Sequence, residues 1–244
     1  MTRGAVDAVV VVAMDDEAAP FLERASAVSD TTVVGNAQSR RITIDGRELL
    51  LVLSGIGLVN AASAATSALV GLGGAPLPLV ISAGTAGGLA PEIRVGEVVV
   101  GTEYINIDAD ARVFGYVLGQ VPGMPPAYEG FASALKNRPT AGTLPTGETF
   151  DVVEGLVVSS YSFVSEDRVP VILSQFTRAL ATDMETVAIA QTSHVFGAPF
   201  VSVRGISDLC GPAAIDDHLT HVDDASERSA VTVLDLLAAL EHNA

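Results

Sequence analysis

The 244-residue chain carries one cysteine and one lysine. A lone Cys210 excludes an intrachain disulfide and a Cys-based zinc site, in keeping with a reducing, cytoplasmic setting. A lone Lys136, with twelve scattered arginines, leaves no basic face to assemble. Neutralising phosphates needs such a face, so nucleic acid and anionic membrane are excluded as partners. Charged residues of either sign are scarce at 17%, while 49% of the chain is hydrophobic. A chain this apolar is not disordered and has the material for a large core, read here as a single domain over residues 1–244. The charge that is present is acidic, 29 Asp+Glu against 13 Lys+Arg, for a net charge of −16. That favours solubility and says nothing about fold. Long unbroken apolar runs are also missing. Residues 8–14 are too few to span a bilayer and are flanked by Asp7 and Asp15. The uncharged stretch between Glu48 and Glu92 is divided by glycines and prolines into strand, helix and strand.

What is there alternates between β-branched runs and helical spacing. Residues 6–13 read as a buried central strand, followed at once by acids and a helix over 17–27. Segments 31–34, 41–44 and 48–54 read as an antiparallel meander with Asp45-Gly46 as a hairpin turn. A small-residue helix is predicted over 58–71 and a strand over 79–83, ending in Gly84-Thr85-Ala86-Gly87-Gly88. Further strands are predicted at 98–107, 156–160, 179–182 and 200–206, and helices at 128–136, 185–196 and 226–241. Residues 108–127 hold six glycines and prolines and no periodicity; a loop that long is usually functional. The alternation specifies an α/β fold with one central sheet wrapped by helices.

The familiar chemical signatures are missing too. Gly55-Ile56-Gly57 opens like a dinucleotide fingerprint, but Asn60 replaces the third glycine and no ribose-binding acid follows at the required distance. There is no Walker loop, nucleophile elbow or zincin motif. His218 and His221 lie one helical turn apart, yet without a third ligand they read as a solvated polar segment; no metal and no cofactor is expected. Three carboxylates stand out instead. Glu17, Glu185 and Asp208 each follow the apolar end of a predicted strand, where open α/β sheets bind ligands. A single one would be a helix-start acid balancing a dipole. Three sharing an apolar cleft can divide into acid and base, as cleavage through an oxocarbenium ion demands.

These acids sit within an ordered set of motifs. They are Ala13-Met14-Asp15-Asp16-Glu17, Ser54-Gly55-Ile56-Gly57, Gly84-Thr85-Ala86-Gly87-Gly88-Leu89-Ala90-Pro91 and Val95-Gly96-Glu97-Val98-Val99-Val100. Asp108-Ala109-Asp110, Phe114-Gly115-Tyr116, Gly119-Gln120-Val121-Pro122-Gly123, Asp183-Met184-Glu185 and Arg204-Gly205-Ile206-Ser207-Asp208 follow. The set, spanning nearly the whole chain, resembles the bacterial 5′-methylthioadenosine/S-adenosylhomocysteine nucleosidases of the purine nucleoside phosphorylase superfamily. The resemblance implies a three-layer α/β/α sandwich around a mixed, partly closed sheet. It implies a homodimer that hydrolyses the bond between adenine N9 and ribose C1′ without a cofactor. Asp208 would protonate adenine N7, aided by Ser207. Glu17 would activate water, with Arg204 and Thr85 nearby. Glu185 would bind the ribose hydroxyls beside the Met184 backbone. Phe163 would stack on adenine and the Val164 backbone would read its edge. Met14 and Ile56 would line the sugar and alkylthio end, and Phe114, Tyr116 and Pro122 would reach the partner's pocket.

Three segments depart from the family pattern. Thr85 stands where serine is common, Ser160-Tyr161-Ser162 where Gly-Asp-Ala is usual, and residues 211–224 offer no aromatic phenylalanine over the alkylthio group. The rival readings are a futalosine-type nucleosidase, a nucleoside phosphorylase and a non-catalytic nucleoside-binding module. Met14-Asp15-Asp16-Glu17 in place of a Pro-Gly-Asp-Pro loop argues against the phosphorylase.

Overall fold

The computed structural model describes residues 5–74 and 76–242. In chain order the strands are β1 (Ala8–Val12), β2 (Ala27–Val28), β3 (Thr32–Val34), β4 (Ala37–Ile44), β5 (Arg47–Leu53), β6 (Leu79–Gly88), β7 (Val98–Asn106), β8 (Tyr128–Glu129), β9 (Ala141–Thr143), β10 (Thr149–Ser159), β11 (Ala179–Asp183) and β12 (Phe200–Asp208). The helices are α1 (Asp15–Arg24), α2 (Leu58–Leu72), α3 (Ala132–Asn137), α4 (Val169–Gln175), α5 (Thr186–Phe196) and α6 (Ala214–His242), with a 3₁₀ turn at Arg112–Phe114.

The sheet runs β11-β10-β7-β12-β6-β1-β5-β4-β2, and β11 also pairs with β6. That last pairing closes five strands on one another, so the sheet is mixed and partly closed. β1, β5, β6 and β12 are parallel neighbours, whereas β12 meets β7 and β6 meets β11 in antiparallel sense. Alternation along β1 shows the layering. Ala8, Val10 and Val12 pack in a cluster with α1 and α6 residues such as Phe21 and Leu236. Val9 and Val11 pack in another with α2 and α5 residues such as Leu69 and Ile189. A strand buried on both faces must be apolar at every position, and β1 is. The Asp45-Gly46 turn joins β4 and β5 with both residues at positive φ, +50° and +81°, as a two-residue hairpin requires.

Several predicted boundaries moved: α1 spans Asp15–Arg24 rather than 17–27, β4 begins at Ala37 rather than 41 and β10 at Thr149 rather than 156, and α4 is a helix the sequence reading does not contain. The helix expected over 128–136 is a short strand followed by α3. Tyr128 and Glu129 pair with β7, and Gly130 then donates to the Thr102 carbonyl at 2.9 Å. A Cβ on Gly130 would lie 2.7 Å from the Gly101 carbonyl oxygen, so the chain turns there on contact with the sheet. The closing helix begins at Ala214 rather than at 226, and most of the expected lid is its first turns. Strands β6 and β12 run on through Gly88 and Asp208, so the segments expected as loops there are extended backbone. Among the described residues no helix is long and apolar enough to cross a membrane.

Candidate active site

The carboxyl ends of β1, β6, β11 and β12 meet around one cleft holding about 600 Å³ of empty space. Met14, Glu17, Ile56, Thr85, Phe163, Val164, Met184, Glu185, Ser207 and Asp208 all line it, as the sequence expected, and so do His218 and Cys210.

Glu17 opens α1 immediately after β1. Its Oε2 accepts the backbone N–H of Ala13 at 2.7 Å and of Met14 at 3.2 Å, closing the helix start. Its Oε1 accepts from Thr85 twice, backbone N–H at 2.8 Å and hydroxyl at 3.1 Å. The carboxylate is thereby fixed against β6 with 2% of the residue exposed. The approach demands glycine on that strand. A Cβ on Gly84 would lie 2.3 Å from Glu17 Oε1, and its φ of +138° disfavours any side chain.

Glu185 follows β11 at the start of α5. Its Oε1 accepts the Gly57 N–H at 2.8 Å, and its Oε2 lies 4.0 Å from Arg204 Nη1. Burial pushes its carboxyl up to about 7, with the charges of Asp183 and Glu17 adding to the effect and Arg204 and the Gly57 N–H opposing it.

Arg204 does not line the cleft. Its guanidinium is buried behind the carboxylates, 1% exposed, with Nε 2.9 Å from Asp183 Oδ2. It donates from Nη2 to Ser82 Oγ at 2.6 Å and from Nη1 to the Thr85 carbonyl at 3.3 Å. It is the cation of a buried network rather than a group facing solvent or ligand, and one buried pair of this kind needs all its hydrogen bonds met. Asp183 meets the rest. Its Oδ1 accepts from Ser159 Oγ at 2.6 Å and from the Thr186 N–H at 3.1 Å, and its Oδ2 accepts from the Thr186 hydroxyl. Sequence reasoning quoted Asp183 only within its motif. The signal that points to it is a buried strand arginine, which requires a carboxylate partner.

Asp208 ends β12. Its Oδ1 accepts the Cys210 N–H at 2.9 Å and its Oδ2 accepts from Ser207 Oγ at 3.1 Å. Gly205, two residues before Ser207, lets α6 approach: a Cβ there would lie 2.0 Å from the Ala225 carbonyl oxygen. That close crossing brings His218 over the cleft, where Nδ1 lies 3.0 Å from Ser207 Oγ and the ring meets Phe163 edge-on at 6.3 Å. The reading of His218 as solvated is thus corrected, because the strand-to-helix reversal folds it back onto the site. Among the described residues no group of three or more metal-ligating side chains occurs, His221 included.

Phe114, Tyr116 and Pro122 lie outside this chain's cleft. Phe114 is 79% exposed at the tip of the 108–127 loop. The loop is tied to the site's rim, since Asp108 Oδ2 accepts the Tyr161 N–H at 2.7 Å.

Comparison with known proteins agrees with this geometry. A family model described as the phosphorylase superfamily matches residues 7–240. A 5'-methylthioadenosine/S-adenosylhomocysteine nucleosidase of Geobacillus kaustophilus is 34% identical over 235 residues, 96% of this chain and 97% of that one. Its counterpart in Anoxybacillus flavithermus is 38% identical over 203 residues, 83% of this chain and 85% of the other. The chain belongs to the nucleosidase family of the phosphorylase superfamily. Solved nucleosidases share its shape. The Neisseria meningitidis nucleosidase in complex with methylthio-immucillin-A superposes with a TM-score of 0.85 at 33% identity, covering 95% of this chain and 99% of that one. The Colwellia psychrerythraea nucleosidase in complex with adenine gives 0.88 at 28% identity, covering 98% of each.

Proposed function

We propose that this protein hydrolyses the adenine N9–ribose C1′ bond of 5′-methylthioadenosine and S-adenosylhomocysteine, releasing adenine and the free thioribose sugar. One observation carries the reading. Glu17, Glu185 and Asp208 line one cleft whose described lining includes no lysine or arginine. A phosphate nucleophile would need cationic ligands there. Carboxylates favour the cationic sugar of the transition state and leave water as the nucleophile.

In this reading Asp208 gives a proton to adenine N7, which turns the base into a neutral leaving group. Glu17, held by its hydrogen bonds to Ala13, Met14 and Thr85, orients a water and takes its proton as oxygen attacks C1′. Glu185 accepts from the ribose hydroxyls beside the Met184 backbone. Arg204 and Asp183 fix the positions of Glu185 and of the Thr85 carbonyl from behind. Phe163, 43% exposed, offers its face to adenine, and the Val164 backbone reads the base edge. Met14 and Ile56 line the thioether end. No metal or redox group enters the scheme.

The protein works as a homodimer in this reading. Val113 at 85% and Phe114 at 79% exposed form an apolar loop tip that, with Tyr116 and Pro122, reaches the neighbouring subunit's cleft. The test is incubation with methylthioadenosine with and without phosphate. Adenine release that ignores phosphate and yields unphosphorylated sugar supports the hydrolase. A sugar 1-phosphate in the NMR spectrum would overturn it in favour of a phosphorylase, and no product would leave a binding module.

A further inference from the structure

Asp208 must be reprotonated once per turnover, and it sits 1% exposed on the floor of the cleft, where a base bound in the reading above stands between it and solvent until it leaves. The geometry points to His218 as the residue that recharges it, through the hydroxyl of Ser207. This rests on Asp208 being the acid of the reading above.

Three groups form one hydrogen-bonded chain. His218 Nδ1 lies 3.0 Å from Ser207 Oγ, and Ser207 Oγ lies 3.1 Å from Asp208 Oδ2. His218 is half-buried, on the exposed side of the chain, whereas Ser207 and Asp208 are buried. Ser207 Oγ also lies 3.4 Å from the Ala86 carbonyl oxygen, the longest of its three contacts; with its single proton directed along the two shorter ones, two arrangements join the chain. With Asp208 ionised, Ser207 donates to Oδ2 and must accept from a protonated Nδ1. With Asp208 neutral, Oδ2 donates to Ser207, which donates in turn to an unprotonated Nδ1. Moving two protons converts the first arrangement into the second. The Nδ1 proton of a doubly protonated ring passes to Ser207 Oγ as the Ser207 proton passes to Asp208 Oδ2, which leaves a neutral ring carrying its Nε2 proton; the half-buried ring then turns about its Cβ–Cγ bond, takes a solvent proton on Nδ1 and returns for the next turnover. The balance is complete. Asp208 loses one proton to N7 and regains one from solvent, while the water that attacks C1′ releases one to Glu17 and from there to solvent.

The relay has a signature that a packing role lacks. A first turnover starts with Asp208 already protonated; only later turnovers need the relay. His218→Phe keeps a ring against Phe163 but removes both nitrogens, and His218→Ala opens space for an added base. Single-turnover and steady-state adenine release from methylthioadenosine are measured for both variants and the wild-type protein. The expected result is a steady-state rate lowered by about tenfold or more, a single-turnover rate lowered several-fold less, and recovery of the His218→Ala steady-state rate by imidazole in the buffer. Equal losses in both regimes without imidazole recovery, or no loss in either, would overturn the relay while leaving the hydrolase reading in place. A wild-type protein that releases no adenine would instead overturn that reading and the relay with it.

Discussion

The floor and the rim of the cleft are built by different rules. The floor is made of strand ends. Glu17, Glu185 and Asp208 are 2%, 6% and 1% exposed; Glu17 and Glu185 accept hydrogen bonds from distant segments, at Thr85 and Gly57, and Asp208 from its neighbours Ser207 and Cys210. The rim is made of side chains on turns and helix starts. Ile56 and Phe163 are 50% and 43% exposed, and neither belongs to the buried core. Burial in a low-dielectric floor makes every charge expensive, so each carboxylate comes with a fixed set of donors. Exposure makes the rim cheap to alter. Chemistry is therefore assigned to the floor and selectivity to the rim, and substitutions in the two should differ in kind as well as size.

The largest effect should come from the acid. Asp208→Asn keeps the shape and can still donate a hydrogen bond, but it cannot deliver a proton. We expect kcat on methylthioadenosine to fall by about 10²–10⁴-fold, the usual size of a general-acid contribution. The affinity for an unreactive analogue, measured by calorimetry, should fall far less, since rim contacts and ribose hydrogen bonds remain. Near-normal kcat with chemistry rate-limiting would move the acid elsewhere.

Gly84→Ala attacks the floor without replacing an ionisable group. The new methyl would sit 2.3 Å from Glu17 Oε1 at a φ of +138°. Either Glu17 leaves its four donors or β6 shifts. We expect a loss of stability of about 2–4 kcal/mol in urea unfolding and a fall in kcat of at least about 10²-fold. Retention of both would show that the floor gives way more easily than its hydrogen bonds imply.

Much of this was legible in the sequence, for reasons that separate the same two regions. Uninterrupted apolar runs such as Val9–Val12 identify strands buried on both faces, and an acid directly after such a run has few places to go but the sheet's carboxyl edge. The short strands β2, β8 and β9 were illegible because two or three residues show no period; pairing alone defines them. The start of α6 was hidden differently. Ile215 and Leu219 are exposed, so the helix turns there lack the apolar stripe that marks a helix, and His218 was read as solvated with them. Arg204 is legible as a site residue or as the partner of a buried acid, but the sequence does not choose between the two or name the acid, because β11 and β12 come together only through their shared pairing with β6.

Glu185 offers a test in which stability and function part company. Its carboxyl binds protons more tightly in the folded protein, at about 7, than at the ordinary 4.5, chiefly because it is buried. Between those values the folded state holds more protons than the unfolded one, so this group's contribution to stability falls as pH rises from about 4.5 to 7 and stays low above. Each pH unit is worth about 1.4 kcal/mol, so the span from 4.5 to about 7 sets an upper bound on the order of 3–4 kcal/mol. Glu185→Gln is neutral at every pH, and its amide oxygen can still accept from Gly57. The variant should melt above the wild type at pH 8 and alongside it near pH 4, while losing kcat/KM by about 10–10²-fold. A variant less stable than wild type at pH 8 would show that Arg204 compensates Glu185 fully.

The smallest effect concerns the rim. Residues 211–224 place Ile215 and Leu219 outward, 67% and 70% exposed, and put His218 rather than an apolar aromatic against Phe163. Nothing from this segment forms an apolar lid over the mouth beside Ile56. A methyl group and a longer amino-acid tail on the 5′ sulfur would then differ mainly in parts that stay in solvent. Solvated groups add little difference in transition-state binding, whereas each buried methylene would add about 1–3 kcal/mol. We therefore expect kcat/KM for methylthioadenosine and adenosylhomocysteine to agree within about tenfold, or about 1.4 kcal/mol. Ile56→Ala should lower both by a similar few-fold factor, because in the proposed reading it lines the thioether end that both substrates share. A preference of a hundredfold or more for the methyl compound would mean that the loop carrying Phe114, Tyr116 and Pro122 closes the mouth in the dimer. The rim would then be as restrictive as the floor.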